Sequence, residues 1–423
     1  MISEKMKPFM ANNSAIRAMF EEGKRMAAVY GRENVYDFSL GNPNVPVPQV
    51  TEAILDVVKN EDFMTLHGYM SNAGYEDVRQ TIAESLNKRF GTNFSFKNLI
   101  MTVGAASGLN IILKSILNPG DEVIVFAPYF VEYNAYVRNY DGNVVVISPD
   151  TETFMPKLDE FEAKITAKTK AVIINNPNNP TGAVYPKETL LKLVDIAREF
   201  GLIIFADEVY DKILYEDAKH IAIASLSTDV LTITFNSLSK AYRACGYRAG
   251  WMIISGNKLP ARDFIEGLNM LANMKLCANV PGQWAIQTAL GGYQSINDLV
   301  CEGGRLRVQR DLAWELLTQI PGVTCVKPQG SLYMFPRLDP KIYPIENDRQ
   351  FFKELLEATR VLLVQGTGFN WPHPDHFRVV FLPHEPQLRE AISRIAEYLA
   401  AWRAAHPVKE EPATPRKKEG AAE

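Results

Sequence analysis

Seven short runs of apolar, largely β-branched residues recur through the middle of the chain, and they constrain the fold more than any other feature. They are Leu99–Val103, Glu122–Ala127, Asn143–Ser148, Lys170–Asn175, Leu202–Ala206, Val230–Phe235 and Ala249–Ile254. Most lack strict apolar–polar alternation, which is the pattern of strands buried on both faces. Helical periodicity lies between several of them. In Pro186–Phe200, Leu190, Leu193, Val194 and Ala197 fall on one face, Pro186 suits the first helical position, and Gly201 follows as a C-cap. Strands alternating with helices predict an α/β fold whose mostly parallel sheet is covered on both sides.

The last third of the chain changes character. Long helical stretches, Pro260–Met274 and Arg305–Ile320, lead to short strands at Ser331–Pro336, Val361–Val364 and His376–Phe381. An amphipathic helix from Pro386 to Ala404 places Leu388, Ile392, Ile395 and Leu399 at helical spacing. This predicts a second, smaller α+β domain. An N-terminal helix (Ala15–Tyr30) and an extended piece (Val35–Leu40) are too short to fold alone and are expected to pack on it. The expected division is therefore 46–290 for the large domain, 1–45 plus 291–405 for the small one, and 406–423 as a disordered, solvated tail.

At 423 residues the chain is long enough for two or three domain lengths. Its net charge of −4 shows no nucleic-acid face and no membrane-binding stripe. The opening MISEKMKPFM lacks the apolar core of a signal peptide, and no apolar run approaches the roughly 18 residues of a membrane span. Cys245, Cys277, Cys301 and Cys325 are widely spaced without a CxxC pair, which suits free thiols in a reducing compartment. A cytoplasmic protein is expected.

Four motifs carry chemistry. Ser237-Leu238-Ser239-Lys240 follows a buried strand, with Arg248 eight residues on in GYRAGW. Alone it reads as a surface lysine in a strand-to-helix turn. Asp207-Glu208-Val209-Tyr210 also follows a strand, where parallel sheets place their ligands, although an N-cap aspartate beside a packing tyrosine explains it equally well. Asn178-Asn179-Pro180-Thr181-Gly182 follows another strand, and turn chemistry alone accounts for it. Gly104-Ala105-Ala106-Ser107-Gly108 opens a helix, where small residues let backbone N–H groups approach a phosphate. A dinucleotide fold uses a similar turn, but the next strand ends in Phe126-Ala127-Pro128 without the acidic ribose ligand. His373-Pro374-Asp375-His376 has no helix to align its histidines and no Cys or Glu cluster beside it, so no metal is expected there.

In this order and spacing, the four motifs resemble the class I and II aminotransferases, the fold-type I enzymes of the aspartate-aminotransferase superfamily that depend on pyridoxal 5′-phosphate (PLP). The resemblance runs from about Ile16 to Ala404. It implies a three-layer αβα PLP-binding domain with a seven-stranded, mostly parallel sheet, plus the smaller α+β domain. It makes Lys240 the lysine that holds PLP as a Schiff base and then moves the substrate proton as general base and acid. Asp207 would keep the pyridine nitrogen protonated, while Tyr210 and Asn179 would hydrogen-bond the ring oxygen O3′. Phe130 would stack on the ring, where the family often has Trp or Tyr. Ser237, Arg248 and the N–H groups of Ala105 and Ala106 would hold the phosphate. Arg378, in His376-Phe377-Arg378-Val379, matches the arginine that grips the substrate α-carboxylate, and Gly41, in SLGNP, the glycine beside it. Tyr69, in HGYMSNAG, matches the tyrosine that crosses to a neighbouring subunit's phosphate, which implies a homodimer.

From about Leu202 onward, LIIFADEVYDKILYEDA, MKLCANVPGQWAIQTALGGYQS and LLVQGTGFNWPHPDHFRVV resemble bacterial glutamate–pyruvate (alanine) transaminases. Before about Ala183, VYDFSLGNPNVPVP, HGYMSNAGYEDVR and APYFVEYNAYVRNYDG look more like another class I branch. The expected reaction is L-alanine plus 2-oxoglutarate giving pyruvate plus L-glutamate. The alternatives are an aspartate or broad-specificity aminotransferase and a PLP-dependent C–S lyase, which would use the same lysine on the same fold. Arg17, in SAIRAMFEEGKR, aligns with an arginine of the alanine branch that could meet a distal carboxylate; an exposed arginine on an amphipathic helix explains it as well.

Overall fold

A computed structural model describes residues 2–7 and 15–407. Of the expected tail, residues 408–423 lie outside the described residues. After a short strand β1 (Tyr36–Asp37), the central sheet takes β2 (Leu99–Thr102), β3 (Glu122–Phe126), β4 (Asn143–Ile147), β5 (Thr169–Asn175), β6 (Ile203–Asp207), β7 (Thr232–Ser237) and β8 (Gly250–Ser255). Each of the seven apolar runs supplies one of these strands. Their spatial order is β2-β8-β7-β6-β5-β3-β4. β8 alone runs against the direction of the other six.

Successive residues of each strand feed opposite layers. Ile124, Val172, Ile174 and Ile204 pack against helix residues Leu190, Leu193 and Val194. Val123, Val125, Ile173 and Phe205 pack on the other side against Ile112, Tyr133 and Leu268. Both faces are therefore apolar, which explains why the runs do not alternate. The covering helices include Gly104–Ile116, Glu132–Arg138 and Arg262–Met274 on one side and Lys187–Glu199 on the other. Pro186 takes the N-cap position rather than the first helical one, and Gly201, at φ +64, follows the C-cap Phe200.

In the last third, β9 (Val323–Thr324) pairs with β11 (Arg337–Leu338). The expected strand Val361–Val364 is two strands with different partners. β12 (Val361–Leu362) pairs in parallel with β1, whereas β13 (Val364–Gln365) pairs antiparallel with β14 (Phe377–Val380), which also takes β10 (Tyr333–Met334). The helix Ala15–Tyr30 packs through Met19 and Met26 on Leu356 and Leu362. Leu388, Ile392, Ile395 and Leu399 of the last helix, Glu385–Ala405, are buried in a core that also contains Val78, Ile286 and Leu363.

One staple fixes the segment ahead of β10. Arg310, whose side chain is buried, binds Glu216 through both terminal nitrogens, donates to Pro328 O at 2.9 Å and lies 4.4 Å from the Tyr215 ring. Tyr215 in turn donates its phenol to Ser331 O at 3.0 Å. Gly182 lets this segment close: at φ +73, a Cβ there would stand 2.9 Å from both Gly330 O and Tyr333 O. Replacing Arg310 by Ala is expected to lower the unfolding free energy by about 2–4 kcal/mol, measured by urea titration, because a buried cation, its bonds and its ring contact go together. A loss below about 1 kcal/mol would show that the staple carries no weight.

Candidate active site

Parallel strands end at one edge of the sheet, and there the sequence places its polar residues. Asn175, Asp207 and Ser237 are the last residues of β5, β6 and β7, and Asn175 sits in register with Asp207. Strand β8 runs the other way, so its start, just after Arg248, lies at the same edge, with Gly250 in register with both Thr102 and Ser237. A cavity of about 270 Å³ opens above these ends. Gly41, Ala105, Ala106 and Phe130 line it, as do Asn179, Asp207 and Tyr210. Ser237, Lys240, Arg248 and Arg378 complete the expected set on its wall.

Two expected residues stand elsewhere in this chain. Tyr69 is 83 % exposed and does not line the cavity. Arg17 is exposed on the N-terminal helix, near enough to Tyr136 on the cavity wall for its charge to favour the ionised phenol.

Asp207 is the buried anion of the site, only 7 % exposed. Burial pushes its carboxyl up to about 6, against the opposing pull of a 2.6 Å hydrogen bond from Tyr133 Oη, the Val209 N–H and the charge of Lys240. Lys240 Nζ donates to Gly41 O at 2.6 Å and lies 6.0 Å from the Tyr210 ring centroid. Asn175 braces two motifs at once. Its Oδ1 accepts from the Asn179 N–H at 2.7 Å, and its Nδ2 donates to Asp207 O at 3.0 Å.

Arg378 is 2 % exposed, and no carboxylate among the described residues pairs with it. Its Nη1 donates to Asn179 Oδ1 at 3.0 Å, its Nη2 donates to Ser39 O, and its Nε is buried without a partner. Burial pulls the guanidinium pKa down. The rings of Tyr333 and Phe369 lie 4.6 and 4.7 Å from it. A buried cation with an unused donor beside a cavity is a receptor for an anion. Arg248 lines the same cavity as a second cation, exposed rather than buried. Its Nη1 donates to Cys245 O at 2.8 Å, and it lies against the start of the helix Gly104–Ile116, where a Cβ on Gly104 (φ +74) would collide with the guanidinium.

His376 and Asp375 serve the scaffold. His376 Nδ1 lies 2.8 Å from Asp375 Oδ1, which also accepts from Trp371 Nε1 at 2.8 Å, and the His376 ring stacks on Phe335. Together they seat β14, the strand that carries Arg378. Asn175, Tyr133, Tyr136 and Tyr333 also line the cavity, and none of them stands in the four motifs. Asn175 stands four residues before Asn179 and Tyr133 three after Phe130, close enough to have been suspected. Tyr333 comes from a distant segment that no motif marks.

The profile of the family described as aminotransferase class I and II matches residues 32–395, a span that holds every cavity residue. The chain is 45 % identical over 388 residues to the glutamate–pyruvate aminotransferase AlaA of Escherichia coli K12, covering 91 % of this chain and 94 % of that one. It is 46 % identical to an alanine aminotransferase of Mycobacterium tuberculosis H37Rv, covering 87 % and 86 % of the two chains. The likeness to the alanine branch is thus not confined to the part after Leu202. Among solved structures, an E. coli aminotransferase superposes with a TM-score of 0.90 at 43 % identity, covering 95 % of this chain and 99 % of that chain. The Thermus thermophilus aspartate aminotransferase does so with 0.82 at 29 %, covering 94 % and 99 %.

The raised Asp207 carboxyl gives a stability prediction for the cofactor-free protein. A carboxyl that binds its proton more tightly when folded stabilises the fold below its unfolded value near 4 and loses that contribution as pH rises through about 6. Asp207→Asn is therefore expected to be more stable than the wild type by roughly 2–3 kcal/mol at pH 8, with the gap closing below about pH 4. Denaturant titrations at the two pH values check it; an equal gap at both would refute the burial argument. Sheet, cavity and matched sequence agree, and the chain belongs to the class I and II aminotransferases, enzymes that move an amino group between an amino acid and a 2-oxo acid.

Proposed function

We propose that the protein is a PLP-dependent alanine aminotransferase converting L-alanine and 2-oxoglutarate to pyruvate and L-glutamate. One observation carries the reading: a single cavity gathers one buried carboxylate, Asp207, with Lys240, Arg248 and Arg378, and no carboxylate among the described residues pairs with either arginine. Those charges fit a cofactor with a cationic ring nitrogen, an aldehyde and a phosphate, beside a carboxylate substrate. When bound, PLP supplies an electron-accepting ring that lets the substrate Cα release its proton.

The roles follow from position. Arg248, the Ser237 hydroxyl and the amides of Ala105 and Ala106 hold the phosphate. Asp207, kept dry and oriented by Tyr133, holds a proton on the ring nitrogen. Tyr210 and Asn179 face the ring oxygen, and Phe130 packs on the ring face. Lys240 carries the cofactor in the resting enzyme; once displaced, its Nζ moves the Cα proton. Arg378 grips the α-carboxylate next to the Gly41 backbone. Burial of Arg378 and its two flanking rings exclude water from that contact, which strengthens it.

The enzyme acts as a homodimer in the cytoplasm. Phe63, Met64 and Tyr69, close together in the chain, are exposed, as are Met270, Met274 and Leu276, and these are the apolar side chains we assign to the contact with a second copy. In the dimer Tyr69 reaches the phosphate in the partner's cavity. No helix among the described residues is long and apolar enough to cross a membrane.

Borohydride treatment of the yellow protein is expected to fix the cofactor to Lys240, and Lys240→Ala to keep non-covalent cofactor while losing turnover. A reduced adduct on a peptide without Lys240 refutes the assignment. The substrate is read by half-reactions. We assign Arg17 to the second carboxylate of glutamate, so Arg17→Ala is expected to spare the alanine half-reaction and slow the glutamate one by about 10- to 100-fold. Equal losses in both half-reactions make Arg17 structural, and an inert alanine alongside fast aspartate excludes the alanine reading.

A further inference from the structure

Tyr333 enters the cavity from β10 and meets the two groups on which substrate and cofactor depend. Its Oη lies 2.8 Å from Tyr210 Oη, and the Arg378 guanidinium lies 4.6 Å from its ring centroid. Both phenols are buried, and among the described residues neither has another hydrogen-bond partner. Their separation is fixed by the chain on both sides. Ile213 O accepts from Ser331 N at 3.0 Å, Leu214 bridges Gly330, and Ser331 O accepts from Tyr215 Oη at 3.0 Å. The segment that follows Tyr210 is thus sewn to the segment that precedes Tyr333.

Two phenols that share one hydrogen bond can share it in two ways. If Tyr210 donates, it turns only lone pairs toward the cavity. The Tyr333 proton is then left beside Gly41, whose Cα is so close that a Cβ there would overlap the phenol oxygen. If Tyr333 donates, the Tyr210 proton is free to enter the cavity, and no buried proton is stranded once an acceptor sits there. A hydroxyl that accepts a hydrogen bond also becomes a stronger donor, because chained bonds polarise one another.

We propose that Tyr333 is a positioning residue: it donates its proton to Tyr210 and so commits the Tyr210 hydroxyl to donate into the cavity, toward the ring oxygen of the cofactor. This rests on the cofactor reading above. The titratable and charged groups that face Tyr210 are Asp207 on its own turn, Lys240, Tyr133, Tyr333 and Arg378. Of these, Tyr333 alone hydrogen-bonds its oxygen.

The test follows the visible absorbance of the cofactor-loaded enzyme as a function of pH in wild type, Tyr333→Phe, Tyr210→Phe and the double variant. Tyr333→Phe is expected to raise the apparent pKa of the Lys240-linked chromophore by roughly 0.5–1 pH unit, because a weakened Tyr210 donor stabilises the ionised ring oxygen less. Tyr210→Phe should raise it further, and the double variant should match Tyr210→Phe, since Tyr333 acts only through Tyr210. Installing 3-fluorotyrosine at position 333, a more acidic phenol and a stronger donor, should move the pKa down, and it tests the idea even if the Phe variant misfolds. An unmoved pKa in Tyr333→Phe, or a double variant shifted beyond Tyr210→Phe by the same increment, overturns the proposal. A wild type without any visible chromophore overturns the cofactor reading first, and this proposal with it.

Discussion

Strand register is the constraint on which the rest of this molecule depends. Asp207 ends β6 in the same parity as Phe205, whose ring packs in the layer that contains Tyr133. That parity aims the carboxylate at Tyr133 and the cavity. A slip of one residue would turn it into the opposite layer, among Ile174, Leu190 and Val194, with no donor to receive it. Because both faces are apolar, that slip is resisted by the fit of the strand's side chains into the two layers rather than by polarity. The chemistry of the site is therefore held by ordinary hydrophobic packing well below it.

The site itself is electrostatically unfavourable as it stands. Asp207 and Arg378 are both buried, and each has a desolvated charge that the surrounding protein does not neutralise with a direct ion pair. Two buried carboxylates beside the site are treated differently. Asp211 is paired with Arg89 at 2.6 Å, and Glu208, the neighbour of Asp207, lies 3.1 Å from His220 and accepts the Ile223 N–H at 2.9 Å. These pairs anchor the turn on either side of Tyr210. Buried Arg79 and Arg243 are held by backbone carbonyls instead, so Asp207 and Arg378 stand out by lining the cavity rather than by lacking an ion pair.

Distant segments meet at the cavity by close backbone approach. Gly104 admits Arg248, Gly41 admits Tyr333, and Gly182 admits the backbone of Gly330 and Tyr333. The NPTG turn thus has a packing duty besides any part in binding. Its Gly182 carbonyl accepts from the N–H groups of both Gln329 and Gly330, which ties the loop after β5 to the entry of β10.

The sequence by itself determined the sheet, since seven two-sided apolar runs can be buried only between two helical layers, and it determined the motifs at the strand ends, because each is local and follows a strand. Asn179, Asp207, Tyr210, Ser237, Lys240 and Arg248 were legible for that reason. Strand order, the reversed direction of β8 and the split of Val361–Val364 between two partners were not, because pairing is chosen by partners far away along the chain. Tyr333 was invisible for the same reason. A tyrosine in a short strand carries no local sign that its oxygen will stand 2.8 Å from another, and only the tertiary structure, through Arg310, Tyr215 and Gly182, brings that pair together.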